Sequence, residues 1–447
     1  MQTLSRRMFL RISGGLAGTA LLAACAPVAS TGETGSSEAA APATAKATLL
    51  LWDGFGEDGA IADEMVVAFQ EANPDIEVMR EAQDTENMRN VIRTALDAGA
   101  GPDVMYYDTG PGFAGVLARA GLLMELDDAY PQYGWDKRIQ PIAKDRTTFD
   151  GKTYGIGNAI EAVGVFYNKR IYEENGLSEP KTHDDFLANC ETLKNAGLIP
   201  VALGNLDKWP AMHTFSVFAG NTAGRDKLAQ AISAEQSWDD DDIVAAMQLG
   251  LVDMVDAGYY NSDVNAVNYD DANLLFYSGQ AAMDITGTWM IGGYTNTDNM
   301  ADPVGFFFYP SIAGKAAAPP AGLGSGYFVS KKTANPEAAL RFLDFLFSEG
   351  NAARWMEGMS IIPPIQVDAS KYNISDLLRF TLEQLSQNAS TMGYNIDVLT
   401  PDNFNTTMFD GFQEVIGKTR TPAEQAIALE KAMQEAKEAG KVMDITG

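Results

Sequence analysis

The chain has 447 residues, 46% of them hydrophobic and 10% aromatic, which is enough for two or three domains with cores of their own. Its 32 basic and 60 acidic residues give a net charge of −28, which argues against nucleic acid and anionic lipid surfaces as partners, since both demand positive potential. Of its two cysteines, Cys25 belongs to an N-terminal export segment, so no intramolecular disulfide is expected. Cys190, in register with Phe186, Leu187 and Leu193 on one helix face, reads as a small buried hydrophobe.

The N-terminus is built for export rather than for folding. Ser5-Arg6-Arg7-Met8-Phe9-Leu10-Arg11 has the pattern of a twin-arginine signal, and the glycine-rich apolar segment 12–24 is too short to span a bilayer core of about 30 Å. Leu22-Ala23-Ala24-Cys25 resembles a lipobox, whose cysteine becomes the lipidated first residue after cleavage. Residues 1–25 therefore read as a lipoprotein signal peptide with Cys25 as the lipidation site. Residues 26–46, almost all Ala, Pro, Ser, Thr, Gly and Glu, read as a flexible tether. The protein is expected on the outer face of the cytoplasmic membrane, touching it only through the lipid.

Globular sequence begins with a strand over 47–52 (ATLLLW). An amphipathic helix over 61–72 ends at Asn73-Pro74, and Ile76 and Val78 alternate with charged neighbours in a second strand. Met88, Val91, Ile92, Ala95 and Leu96 have helical spacing closed by Gly99. A third strand over 103–108 and a helix to Gly121 complete a βαβαβ beginning, which predicts a parallel sheet. A second α/β run follows Lys169. Thr182-His183-Asp184-Asp185 predicts a capped helix start, and 198–203 a buried strand. The acidic run 239–242 opens a helix through Asp256, complementing its dipole rather than holding a metal. Further strands are predicted at 280–286, 304–309 and 327–330, and helices over 337–347 and 351–357. Residues 378–447 read as wholly helical, with Thr421-Pro422-Ala423-Glu424 as a capping box.

The stretch 154–169 (YGIGNAIEAVGVFYNK) organises the rest. It follows the hairpin signal Asp150-Gly151 and is nearly continuously apolar, as in a strand buried on both faces, apart from Asn158 and Glu161. A carboxylate inside such a run is costly unless paired or facing a wet cleft. Flanked by two α/β runs, the stretch is expected to cross between two domains, with Asn158 and Glu161 facing the space between them.

One enzyme signature is formally present: Gly54-Phe55-Gly56-Glu57-Asp58-Gly59 is a G-x-G-x-x-G between a strand and a helix, the place for a dinucleotide fingerprint. Glu57 and Asp58 would then sit beside a pyrophosphate that needs a helix N-terminus free of anions. An exported oxidoreductase is carried as an alternative on this motif. A carbohydrate-active enzyme is another, because sixty acids leave a glycosidase pair open. His183 and His213 are the only histidines, and there is no H-E-x-x-H, Walker loop or G-x-S-x-G. What recurs instead is an aromatic residue beside amides, carboxylates or glycines at predicted strand ends. The sets are Trp52-Asp53, Tyr107-Asp108, Asn205 with Trp209-Pro210, Thr288-Trp289 and Gly324-Ser325-Gly326-Tyr327. Sugars suit such a lining: their C–H faces stack on rings while hydroxyls meet carboxylates and amides, outside the carboxyl ends of strands.

Taken in order, several stretches resemble the extracellular solute-binding proteins of ABC sugar importers, the maltose-binding-protein-like family 1. They are TLLLWDGFG, NPDIEV, GPDVMYYD, AGLLMELDD, YGIGNAIEAVGVFYNKRIYEENGL, LGNLDKWP, YSGQAAMDITGTW, GLGSGYFVSKKTANPEAALRFLDFL and GKTRTPAEQA, and together they run through most of residues 47–440. The resemblance implies an α/β, two-lobed periplasmic-binding-protein fold with a cleft between the lobes and three hinge crossovers. Lobe 1 would hold 47–159 with 305–349, and lobe 2 would hold 160–304 with 350–447. It implies capture of a mono- or oligosaccharide and delivery to ABC permease transmembrane subunits, by a monomer with no cofactor, metal or catalytic residue. Asp53 and Asp108 would line the first lobe's side of the cleft, with Tyr107 beside them. Asn158 and Glu161 would mark the crossover, Asn205, Trp209 and Trp289 the second lobe, and Ser325 and Tyr327 a glycine-flanked contact. A late segment, 394–397, corresponds to one that often touches ligand. Phe55 and Glu57 stand where some members carry a cation, which argues against an anionic ligand such as a sugar phosphate.

Overall fold

The computed structural model describes residues 46–56 and 59–445. The twin-arginine pattern, Cys25, the tether up to residue 45, and Glu57 and Asp58 lie outside the described residues.

The opening unit follows its hydrophobic pattern. β1 (Ala47–Asp53) buries Leu49 and Leu51 on one face, against Ala62, Met65, Val66 and Phe69 of α1 (Gly59–Ala72). β2 (Ile76–Ala82) pairs parallel to β1. α2 (Thr85–Ala98) starts where the Asp84 carboxylate accepts the Asn87 N–H, and stops at Gly99, whose φ of 69° is left-handed. Met88, Ile92 and Leu96 turn this helix onto the opposite face of the sheet. β3 (Val104–Asp108) pairs parallel to β1, completing the expected unit.

β4 (Gly155–Gly157) is the last strand of that sheet in chain order before the crossing, and β5 (Glu161–Asn168), buried along its whole length, opens a second sheet. The apolar stretch 154–169 thus belongs to two sheets. Next come α3 (His183–Asn195) behind the Thr182–Asp185 capping box, β6 (Ile199–Ala202), α4 (Trp209–Thr222) and α5 (Tyr269–Tyr277). β7 (Ala281–Gly287), β8 (Val304–Phe307) and β9 (Ala321–Gly322) follow, then β10 (Ser325–Val329) and α6 (Pro336–Leu346). The chain closes with α7 (Asp376–Asn388), α8 (Asp402–Ile416) and α9 (Pro422–Glu438), the last behind the Thr421–Glu424 capping box.

The first sheet has the order β2-β1-β3-β10-β4; the second has β8-β5-β7-β6, with β9 also paired to β5. Each carries its own apolar core. The second lobe's includes Cys190, Phe215, Trp238, Phe404, Phe412 and Leu429, so Cys190 is the buried hydrophobe its spacing predicted. Asp240 caps the helix Asp241–Met247 and pairs with Lys227, so the acidic run 239–242 is a helix start. No helix among the described residues is long and apolar enough to cross a membrane.

Three expectations are corrected. β8, placed in lobe 1 by a boundary at 305, pairs antiparallel with β5 of the second sheet. The chain returns to the first sheet only between Gly322, paired to Glu161, and Ser325, paired to Asp108. The third crossing, expected at 349–350, lies further along the chain. Trp355, fully buried, donates its indole N–H to Leu346 O at 2.7 Å and packs near Phe347 and Tyr327 in the first core. Ile365 still bridges Ile139 of the first lobe, so the crossing falls beyond it. Residues 389–401 are not α-helical: between α7 and α8 the chain runs as an irregular segment with one short 3₁₀ turn at Asp397–Leu399.

Candidate functional site

A cavity of about 670 Å³ lies between the two lobes. Its second-lobe wall is aromatic. Trp209 is the first residue of α4, Tyr269 the first of α5, and Trp289 follows β7 in a tight 3₁₀ turn. Ring centroids are 4.4 Å apart for Trp209–Tyr269 and 6.4 Å for Trp209–Trp289, and the His213 ring lies 5.1 Å from both indoles. The Trp289 N–H donates to Tyr269 Oη at 3.0 Å, and that hydroxyl meets Thr286 Oγ1 at 2.7 Å, so the rings are held in fixed orientation. Gly287 is required here: a Cβ would lie 1.9 Å from the Trp289 ring.

The first-lobe wall is polar. β3 presents Tyr106 and Asp108, two residues apart on one face, and Ser325 of β10 is in register with Asp108. Arg89 of α2 donates to both Asp108 oxygens at 2.9 Å and to Glu86 Oε1 at 2.7 Å. Burial alone would lower the Arg89 guanidinium, but these carboxylates outweigh it and raise it well above its ordinary value.

At the crossover, Glu161 is 8% exposed and its Oε2 accepts the Gly324 N–H at 3.0 Å. A Cβ at 324 would lie 2.6 Å from that oxygen, so a larger residue there would push the Glu161 carboxyl aside. Burial, then the charges of Asp108 and Asp397, push the Glu161 carboxyl up to about 8 against the pull of that N–H. Asp397, 3% exposed, is raised to about 7, again by burial first. His213 is lowered to about 3 by burial and by Arg89, so it is neutral at pH 7.

Of the ten residues the sequence singles out, Asp108, Glu161, Trp209, Trp289 and Ser325 line the cavity. The other five do not. Asp53 is 1% exposed and takes a two-pronged bond from Arg80, 2.7 Å to each oxygen, while Arg80 also holds Phe55 O; it fixes the loop that carries Phe55 to the cavity. Tyr107 points to the opposite face of β3, where it packs on Phe113, because neighbouring strand residues alternate. Asn158 is 1% exposed: the crossover brings it beside Ser325, whose carbonyl its N–H meets, with its side chain in the interior instead of the cleft. Asn205 is fully buried; its amide donates to Asn265 and accepts the Ala211 N–H, bracing the loop before Trp209. Tyr327, 3% exposed, sits one step further into the sheet and supports Tyr106 from below at 5.3 Å. The late segment 394–397 does reach the cavity, through Asn395 and Asp397.

Residues missed in the sequence are Arg89, Tyr106, His213 and Tyr269. Strand alternation from Asp108 would have selected Tyr106. Arg89 and His213 stand on helices whose rotation about the sheet is set by packing. The first two glycines of the G-x-G-x-x-G, Gly54 and Gly56, line this same cavity. A Cβ added at Gly56 would meet no atom within 4 Å, one added at Gly54 would make only ordinary contacts, and neither residue has positive φ. Among the described residues no group of three or more His, Cys, Asp or Glu side chains could hold a metal ion.

Residues 53–353 match the family described as bacterial extracellular solute-binding protein. Relatives in sequence include an uncharacterized ABC transporter extracellular-binding protein of Pyrococcus horikoshii, 26% identical over 302 residues and 67% of each chain. Another is the multiple sugar-binding protein of Streptococcus mutans, 23% identical over 67% of this chain and 71% of that one. In structure, a chitin oligosaccharide binding protein superimposes with a TM-score of 0.80 at 23% identity, covering 88% of this chain and 99% of that chain. The maltose/maltodextrin-binding domain of Bdellovibrio bacteriovorus, bound to maltotriose, gives 0.72 at 21% identity over 88% of this chain and 100% of its own. At those identities the structural likeness is one of fold, and it agrees with the two lobes seen here. The chain belongs to the bacterial extracellular solute-binding protein family.

Proposed function

We propose that this protein is a non-enzymatic receptor that captures a mono- or oligosaccharide between its lobes and delivers it, closed, to the transmembrane subunits of an ABC permease. The observation that carries this reading is the division of the cavity wall. Two indoles and a phenol gather on the second lobe, and the guanidinium of Arg89 and the Ser325 hydroxyl stand on the first, with carboxylates contributed by both. Sugar C–H faces stack on the rings, while hydroxyl pairs accept from Arg89 and Ser325 and donate to Asp108, Glu161 and Asp397. Contacts from both lobes exist together only when the lobes are closed, so ligand favours closure by its differential affinity for that state. Family membership and sugar-binding relatives support the reading. Twin-arginine export, a lipid anchor on Cys25 and a monomeric state are parts of it that rest on sequence pattern and resemblance.

Isothermal titration against a panel of mono- and oligosaccharides tests the reading. Binding of at least one carbohydrate is expected, with no new reducing ends after prolonged incubation. Failure of every carbohydrate, with a nicotinamide cofactor co-purifying instead, would overturn it. Turnover abolished by replacing one carboxylate would make the protein an enzyme.

A further inference from the structure

The cavity wall is far more acidic than the chain around it. The whole sequence carries 60 acids to 32 bases, about two to one, whereas the wall carries Asp84, Glu86, Asp108, Glu161, Asp207, Asp270 and Asp397 against Arg89 alone. Arg89 is spent on Asp108 and Glu86. Among the described residues no ion pair joins Asp84, Glu161, Asp207, Asp270 or Asp397 to a cation. The acids also face one another across the cleft. Glu86 of the first lobe lies within the field of Asp207 of the second, and Asp270 of the second within that of Asp84 of the first. A wall of that sign favours a cationic ligand over an anionic one.

A second observation is independent of the count. Three polar atoms of cavity-lining residues, each on a side chain more than nine-tenths buried, have no hydrogen-bond partner: Asp397 Oδ1, Asn395 Oδ1 and His213 Nδ1. Once ionised, the Asp397 carboxylate, like the Asn395 amide oxygen, can only accept, so a cation that takes the place of its proton supplies the donor both lack. We propose that the saccharide this receptor takes carries a free basic amine, a 2-amino-2-deoxy sugar or a short oligomer of one, whose ammonium is held between Glu161 and Asp397. The proposal rests on the saccharide-receptor reading. An ammonium offers three donors and no acceptor, and suits the faces of Trp209, Tyr269 and Trp289. Because Glu161 and Asp397 keep a proton on the floor near neutral pH, the incoming ammonium displaces it and binding releases a proton.

The full chain is titrated at about pH 6, where the sugar amine is fully protonated, with a glucosamine disaccharide, its N-acetylated counterpart, cellobiose, and the diamine putrescine. Each titration is run in two buffers of different ionisation heat. The free-amine disaccharide is expected to bind at least about tenfold more tightly than either uncharged sugar, with proton release. Asp397→Asn should lower its affinity about tenfold to a hundredfold, well beyond any loss it causes for cellobiose, and Glu161→Gln, whose shape matches the protonated acid, should do the same. An uncharged sugar binding as tightly as the amine, or amine binding indifferent to both substitutions in folded protein, would overturn the proposal and leave the receptor reading standing. Putrescine binding with no saccharide binding would overturn both.

Discussion

Replacing Glu161 by Gln should change how stability depends on pH, in a direction fixed by burial. The carboxyl is raised to about 8 from an ordinary 4.5. Between those values Glu161 holds a proton in the folded protein and gives it up on unfolding, so the folded state binds more protons and stability falls as pH rises. The contribution is fully present below the unfolded value and is lost as pH passes the folded one. Its slope is at most about 1.4 kcal/mol per pH unit for one group. Asp397 and Asp284, each raised to about 7 by burial, slope the same way. His213 and His183, both lowered by burial, slope the opposite way below their ordinary 6.5. The wild-type profile alone therefore mixes signs, and the difference between wild type and Glu161→Gln isolates the one carboxyl. Urea denaturation of ligand-free protein between about pH 5 and pH 8 should show wild type losing ground to the variant by up to about 1.4 kcal/mol per unit. A difference that stays flat over that range would mean that Glu161 is already ionised at the acid end, and that the cavity floor is wetter than its burial implies.

Trp209 is half-buried and faces the cavity; Trp209→Ala should weaken saccharide binding about tenfold by titration with little change in unfolding midpoint, since ring stacking contributes about 0.5–1.5 kcal/mol beyond area burial. Lost folding with unchanged affinity would make it a core residue. Arg89→Met strands Asp108 and Glu86 without their cation and should cost about 3–5 kcal/mol in denaturation; a second change, Asp108→Asn, should recover part of that loss, and a cost near zero would show the pair is dispensable. Gly324→Ala places a methyl against the Glu161 carboxylate and should move that carboxyl out of place, lowering sugar affinity at a stability cost of about 1 kcal/mol. Unchanged sugar affinity in that variant would refute the close approach.

The local signals in the sequence read well wherever a property is local. Capping boxes at Thr182 and Thr421, the βαβαβ opening and the split of 154–169 between two sheets follow from patterns within a few turns of chain. Sheet membership does not. Val304–Phe307 is apolar enough for either sheet, and its partner Val165–Asn168 is more than a hundred residues away. The site shows the same divide. The pairing of an aromatic with a carboxylate selects Tyr107, although strand alternation with Asp108 points to Tyr106. Asp53 occupies the end of a strand, as a ligand-binding residue would, but Arg80 on the neighbouring strand claims it. Asn395 and Asp397 are reached through resemblance alone, because an irregular segment between two strong helices has no periodicity to read.

The division of the cavity wall between the lobes has a kinetic consequence. Both indoles belong to the second lobe, while Arg89, Asp108 and Ser325 belong to the first. A ring that lands on the indoles is already partly held while the lobes stand apart, and the polar contacts form only as the hinge swings. Substitutions on either lobe are expected to act mainly on residence time, since contact losses fall chiefly on the dissociation rate. Full contact is reached only when both lobes meet the ring, and the three crossing segments are what must bend for that to happen.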